Sequence, residues 1–129
     1  MKETVFEYRF IDVMAGNKDN GFSYYGAKTL FNILTDLEED TGIEIELDPV
    51  AIRSQFTEYE NFKAIYNDFS HYIENHSKIF EKEYYENISD DDEKEEYLET
   101  VIEEVGLQYW PIDEYFKGET GIIVDVESI

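Results

Sequence analysis

The sequence predicts an α+β fold in a single acidic domain, with a small antiparallel sheet of about three strands and about four or five helices around it. Three observations lead there. Hydrophobic residues make up 42% of the 129 positions, enough to fill one core despite a formal charge of −22, and this length suits one domain over residues 1–129. A helical period runs through residues 24–41 and again through 89–105. Short period-two alternations at 43–47 and 50–56 supply strands, and 122–126 reads as a final one.

Taken in order, Thr4 and Glu7 have capping-box spacing, and Phe6, Phe10, Val13 and Met14 recur at helical intervals before Gly16. A short helix is expected, although the alternation from Val5 to Phe10 also fits a strand. Asn17 to Gly21 reads as a loop. Ser23 caps the clearest helix, about Tyr24 to Thr41, with Ala27, Leu30, Phe31, Leu34 and Leu37 as its apolar stripe and Gly42 as its stop. Its last turn holds Asp36, Glu38, Glu39 and Asp40, which face the negative end of the helix dipole at a cost of a few tenths of a kcal/mol each, order of magnitude. A purely structural design would place lysines there, so the acids point to another use.

Ile43, Ile45 and Leu47 alternate with Glu44 and Glu46 as in a half-buried strand, and Asp48-Pro49 breaks the pattern. Val50, Ile52, Ser54 and Phe56 resume it and predict a second strand. Thr57 and Glu60 repeat the capping-box spacing ahead of Phe62, Ile65, Tyr66 and Phe69; this helix either runs on or breaks near Ser70 and restarts through Tyr72, Ile73, Ile79 and Phe80. After a joint at Asn87 to Ser89, Ser89 caps a helix with Tyr97, Leu98, Val101, Ile102 and Val105 on its core face and Gly106 at its end. Leu107 to Trp110, stopped by Pro111, reads as a strand, Lys117 to Gly121 as a turn, and Ile122 to Val126 as the final strand.

Charge separates the function classes. Glu81 to Glu104 alone holds twelve carboxylates and two lysines, and residues 65–129 carry net −15 against −7 for residues 1–64. Such a surface repels nucleic acid and anionic lipid and attracts basic proteins. The chain has no cysteine, which excludes disulfides and thiolate chemistry. It has no apolar run of membrane-spanning length and no signal-like N-terminal stretch, so a cytoplasmic location in a bacterial host cell is expected, without membrane contact.

From Phe22 to Ile52 the chain reads FSYYGAKTLFNILTDLEEDTGIEIELDPVAI, followed by QFTEYENF at Gln55 to Phe62. This first half resembles a widespread group of small acidic proteins encoded by phages and mobile elements, in which an FSY-type helix start leads to a helix ending in LEEDTG, then an EIELD strand and an acidic helix opened by a TEY segment. In overall character the chain is similar to DNA-mimic antirestriction proteins and acidic anti-CRISPR proteins. That likeness implies a counter-defence role, with a basic DNA-binding host protein or ribonucleoprotein as partner: an RNA-guided nuclease or a restriction enzyme.

On a helix, Asp92, Glu96, Glu99 and Glu103 fall on one face with Glu95 beside them. Their carboxylates recur every ~5–6 Å along the axis, whereas a DNA strand places a phosphate about every 3.4 Å. Mimicry therefore calls for a second acidic element, and Glu38, Glu39 and Asp40, with Glu44 and Glu46, are the candidates. A homodimer extending the surface is also compatible with the sequence. The bland alternative is a solvated acidic face, and Asp90 to Glu93 have a structural reason as well, since acids favour a helix start.

No catalytic residue, cofactor or metal site is expected. Asp90-Asp91-Asp92 lack the alternate spacing and central glycine of an EF-hand loop. His71 and His76 are poorly spaced for shared ligation, and neither a phosphate-binding glycine loop nor a GxSxG elbow is present. Tyr109, Trp110 and Pro111, with Tyr115 and Phe116, form either core packing or the anchor of a non-catalytic interaction module. Tyr84 and Tyr85 lie at a distance in sequence from Tyr97 that permits ring packing, which would hold the acidic helices rigidly.

Overall fold

The computed structural model describes residues 4–112 and 121–127, with side chains from residue 7 onward. The side chain of the expected Thr4 cap is not among those described, and most of the Lys117 to Gly121 turn, Tyr115 and Phe116 lie outside the described residues.

Among the described residues, six α-helices and a three-stranded antiparallel sheet make up an α+β fold. The helices are α1 (Thr4–Gly16), α2 (Tyr24–Thr41), α3 (Pro49–Gln55), α4 (Phe62–His76), α5 (Lys82–Asn87) and α6 (Asp91–Glu104). The strands are β1 (Phe56–Tyr59), β2 (Gln108–Pro111) and β3 (Ile122–Asp125), in the order β1-β3-β2. The expected four or five helices become six among the described residues: the short α3 stands where a strand was read, and the short α5 precedes the joint read at Asn87 to Ser89.

The sheet divides the hydrophobic interior. Because successive strand residues point to opposite faces, Ile123 enters one core while Ile122 and Val124 enter the other. The first core is closed by α1, α2 and α3 through Phe10, Met14, Leu30, Leu34 and Ile52, with Phe56 of β1 beside them. The second is closed by α4, α5 and α6 through Ile65, Ile73, Tyr85, Leu98, Val101 and Ile102. The result is three layers, with helices on both faces of a narrow sheet.

The strand expected over Val50 to Phe56 is a helix up to Gln55. The Asp48 side chain accepts from the Ala51 N–H at 3.2 Å and Pro49 occupies the first turn, so the pair taken for a breaker is a helix start. Val50, read as an inward strand position, is 58% exposed. Ile43 to Leu47 joins no ladder: the Ile45 N–H donates to Glu38 Oε1 at 3.0 Å, and the Asp48 N–H donates to the Glu46 carbonyl. Ile45 and Leu47 still pack on the first core, whereas Ile43 is 67% exposed. The capping box expected at Thr57 falls in β1, and Asn61 caps α4 instead, accepting from the Ala64 N–H at 2.9 Å. The break expected near Ser70 is a kink at Phe69 (φ −113, ψ 19), after which α4 continues to His76. Ile79 and Phe80 follow in a connection, not in a restarted helix. The cap of α6 is Asp90, one residue beyond Ser89.

Candidate partner-binding surface

The acidic helix α6 is held from behind. Leu98, Val101 and Ile102 are buried in the second core, and α6 packs along α4. Aromatic rings join it to α5: Tyr97 lies 5.2 Å from Tyr84 and stacks near Tyr85 at 6.3 Å between centroids. The Tyr97 hydroxyl donates to the Ile79 carbonyl and accepts from the Glu81 N–H, pinning the α4–α5 connection. The expected ring packing that stiffens the acidic region is therefore present.

Of the five α6 carboxylates expected to bind a partner, the four of one face remain available. Asp92, Glu96, Glu99 and Glu103 make no side-chain hydrogen bond or ion pair among the described residues. Glu95 differs. Its Oε2 accepts from the Phe62 N–H at 2.8 Å and its Oε1 from the Lys63 N–H at 3.1 Å. These N–H groups open α4 and have no partner within that helix, so Glu95 is a capping group supplied by a neighbouring helix. The spacing shows only that Glu95, three residues before Leu98 and seven before Ile102, stands on the flank of the buried stripe; the N–H groups it meets are set by the fold. Lys94 does not neutralise the acidic face, because its ammonium lies over the Tyr85 ring, 5.2 Å from the centroid.

Glu95 belongs to a wider pattern. Glu104 accepts from the Ser77 hydroxyl at 2.7 Å and the Lys78 N–H at 3.0 Å. Glu58 accepts from both the N–H and the hydroxyl of Ser23 at 3.0 Å. Together with Glu38 on Ile45, these carboxylates satisfy backbone donors that no ladder or helix covers. The Ser77 hydroxyl bond, then the Lys78 N–H, hold the Glu104 carboxyl below its ordinary range.

The second expected acidic element does not stand beside α6. Glu38, Glu39 and Asp40 end α2, which packs against α1 and β3 in the first layer, across the sheet from α6. Glu38 is also engaged with Ile45, whereas Glu39 and Asp40 are exposed. The acids that share a layer with α6 are those of the α5 region, where Glu81, Glu83 and Glu86 are exposed. Glu74 of α4 forms an ion pair with Lys82 at 3.7 Å and accepts from the Tyr66 hydroxyl.

Asp92, Glu96 and Glu99 form one wall of a cleft of about 640 Å3, closed by Asn61 and Phe62 at the start of α4 and by Tyr109, Pro111 and Ile122 of the sheet. Tyr109 and Phe62 meet edge to face at 5.2 Å. Burial raises the Tyr109 hydroxyl above its ordinary pKa, and the negative charges of Glu99 and Glu103 raise it further. Trp110 points the other way, into the first core, 6.1 Å from Phe56. The two neighbouring rings therefore serve opposite faces of the sheet and do not make one patch.

The Asp90 side chain accepts from the Asp92 N–H at 2.8 Å as the α6 cap. Among the described residues no group of three or more His, Asp or Glu side chains is placed to hold a metal ion. His71 contacts Asn75, and His76 stacks on Tyr72 at 4.2 Å, both exposed on α4. No described helix is long and apolar enough to cross a membrane. No protein-family model matches the chain, and no match to it was found among curated proteins or solved structures.

Proposed function

We propose that this protein is a stoichiometric inhibitor that occupies the nucleic-acid-binding surface of a basic partner and keeps DNA from it. The observation that carries this reading is the α6 ridge: Asp92, Glu96, Glu99 and Glu103 on one face, without internal partners among the described residues, on a helix fixed by Leu98, Val101 and Ile102. A rigid row of unneutralised carboxylates meets a basic groove without an ordering cost and displaces the counterions that DNA would displace. The exposed acids of the α5 region add negative charge to the layer that holds α6, which the α2 end does not. The likeness in overall character to DNA-mimic antirestriction and acidic anti-CRISPR proteins supports a counter-defence setting for this proposal, with an RNA-guided nuclease or a restriction enzyme of a bacterial host as the target.

The test is inhibition of such a nuclease by the wild type and by a variant with Glu96, Glu99 and Glu103 all changed to Lys, its fold checked by circular dichroism. Wild-type protein is expected to be recovered bound to the nuclease and released by salt and by competing duplex DNA. The variant is expected to neither bind nor inhibit. A folded variant that inhibits normally, or binding that DNA does not displace, overturns the reading.

A further inference from the structure

We infer that the cleft between α6, the start of α4 and the sheet is a socket for an arginine side chain of the partner protein. This rests on the acidic-surface reading and specifies what that surface recognises. A row of carboxylates imitating phosphates needs no hollow, yet here the row borders one of about 640 Å3, within the size range of small-ligand sites. One wall carries Asp92, Glu96 and Glu99, and the remainder is largely apolar: Phe62, Tyr109, Pro111 and Ile122.

The occupant follows from charge and surface together. The carboxylates select a cation. A bare metal ion needs converging ligands, and these acids stand along successive turns of α6. A lysine ammonium is a compact, strongly hydrated charge that gains little from an apolar floor. A guanidinium is planar, weakly hydrated and able to lie against an aromatic ring while its donors reach carboxylates. Its aliphatic stem suits Pro111 and Ile122.

The socket is preformed. Glu95 spends both oxygens on the Phe62 and Lys63 N–H groups, tying the floor residue Phe62 to the helix that bears the wall. Glu95 is thus a positioning residue, and Asp92, Glu96 and Glu99 are the ligands.

The experiment is a nuclear magnetic resonance titration of the full chain with capped pentapeptides of glycine bearing one central arginine, lysine or citrulline. Arginine is expected to shift the amides of Phe62, Glu96, Glu99, Tyr109 and Ile122 saturably. Lysine is expected to bind about 3–10-fold more weakly, and neutral citrulline not measurably. Glu96→Gln and Tyr109→Leu are each expected to weaken arginine binding by about 3–10-fold. If Tyr109→Leu fails to fold, Glu96→Gln and the arginine–citrulline contrast decide. Equal shifts from arginine and lysine spread along all of α6, or no saturable binding of arginine, overturn the socket. The acidic-surface reading then stands or falls separately, on whether the triple lysine variant loses the partner.

Discussion

The carboxylate of Glu58 occupies the space in which a side chain on residue 26 would begin, so Gly26 and Glu58 are a matched pair. Only a residue without Cβ at this point of α2 lets Glu58 of β1 reach the N–H and hydroxyl of Ser23, which in turn caps α2 by accepting from the Gly26 N–H. Gly26→Ala is therefore expected to lower stability by ~1 kcal/mol, because the lost hydrogen bonds outweigh the better helix propensity of alanine. In a Glu58→Ala background the sign should reverse, with alanine stabilising by up to ~1 kcal/mol. Urea unfolding of the four proteins in the cycle measures this coupling, and additive effects would disprove it.

Neighbouring acids on α6 should behave oppositely. Glu95→Gln is expected to cost ~1–3 kcal/mol, because two N–H groups of α4 lose a charged acceptor. Glu96→Gln, at an exposed carboxylate without internal partner among the described residues, should stay within about 0.5 kcal/mol of wild type. Partner binding should show the reverse order once both variants are compared at a temperature where each is folded. Chemical denaturation and a binding isotherm on the same samples check both halves.

Glu104 gives an acid limb to stability. Its folded carboxyl titrates below the ordinary value of 4.5, chiefly through the Ser77 hydroxyl bond and next through the Lys78 N–H. A depressed folded pKa contributes stability that is fully present above the unfolded value and is lost as pH falls through the folded one. The difference in Tm between wild type and Glu104→Gln should be constant from neutrality to about pH 5 and shrink below pH 4.5. Direct titration of the Glu104 carboxyl carbon by nuclear magnetic resonance should place its midpoint below 4.5.

Tyr66 acts at the alkaline end. Burial first, and then the hydrogen bond to Glu74, raise its hydroxyl from 10.0 to about 12. A raised folded pKa contributes stability below the unfolded value that disappears as pH rises through the folded one. Wild type should lose stability between pH 10 and about 12, and Tyr66→Phe should lose less over that interval. Thermal melts across the range, with tyrosinate absorbance as the titration signal, test it.

Helices α2 and α6 were legible because each buries one stripe, so leucines and isoleucines at helical spacing suffice to locate them. Strands β2 and β3 were legible because a short apolar and aromatic stretch ends at Pro111 in one and follows a glycine in the other. Val50 to Phe56 misled because Ile52 and Phe56, four apart, satisfy a helix as well as an alternation, and Asp48-Pro49 starts a helix as readily as it ends a strand. The ridge of Asp92, Glu96, Glu99 and Glu103 was visible as spacing alone. The capping duties of Glu38, Glu58, Glu95 and Glu104 were not, since each depends on which backbone N–H the tertiary fold brings opposite. The separation of the α2 acids from α6 was hidden for the same reason: sequence gives the charge of a helix, and the sheet decides on which side it lies.

The central position of β3 governs the order in which the protein can assemble during synthesis. β1 and β2 touch no common strand until β3 is made, and the register Phe56 with Asp125 joins positions far apart in the chain. Such pairing closes slowly, because a long loop must be immobilised before any contact rewards it. Until then both strands expose unpaired edges, and nascent chains crowd together on a polysome. Like charges repel, so the charge of −22 is expected to keep such unfinished chains apart and slow their aggregation until the sheet closes.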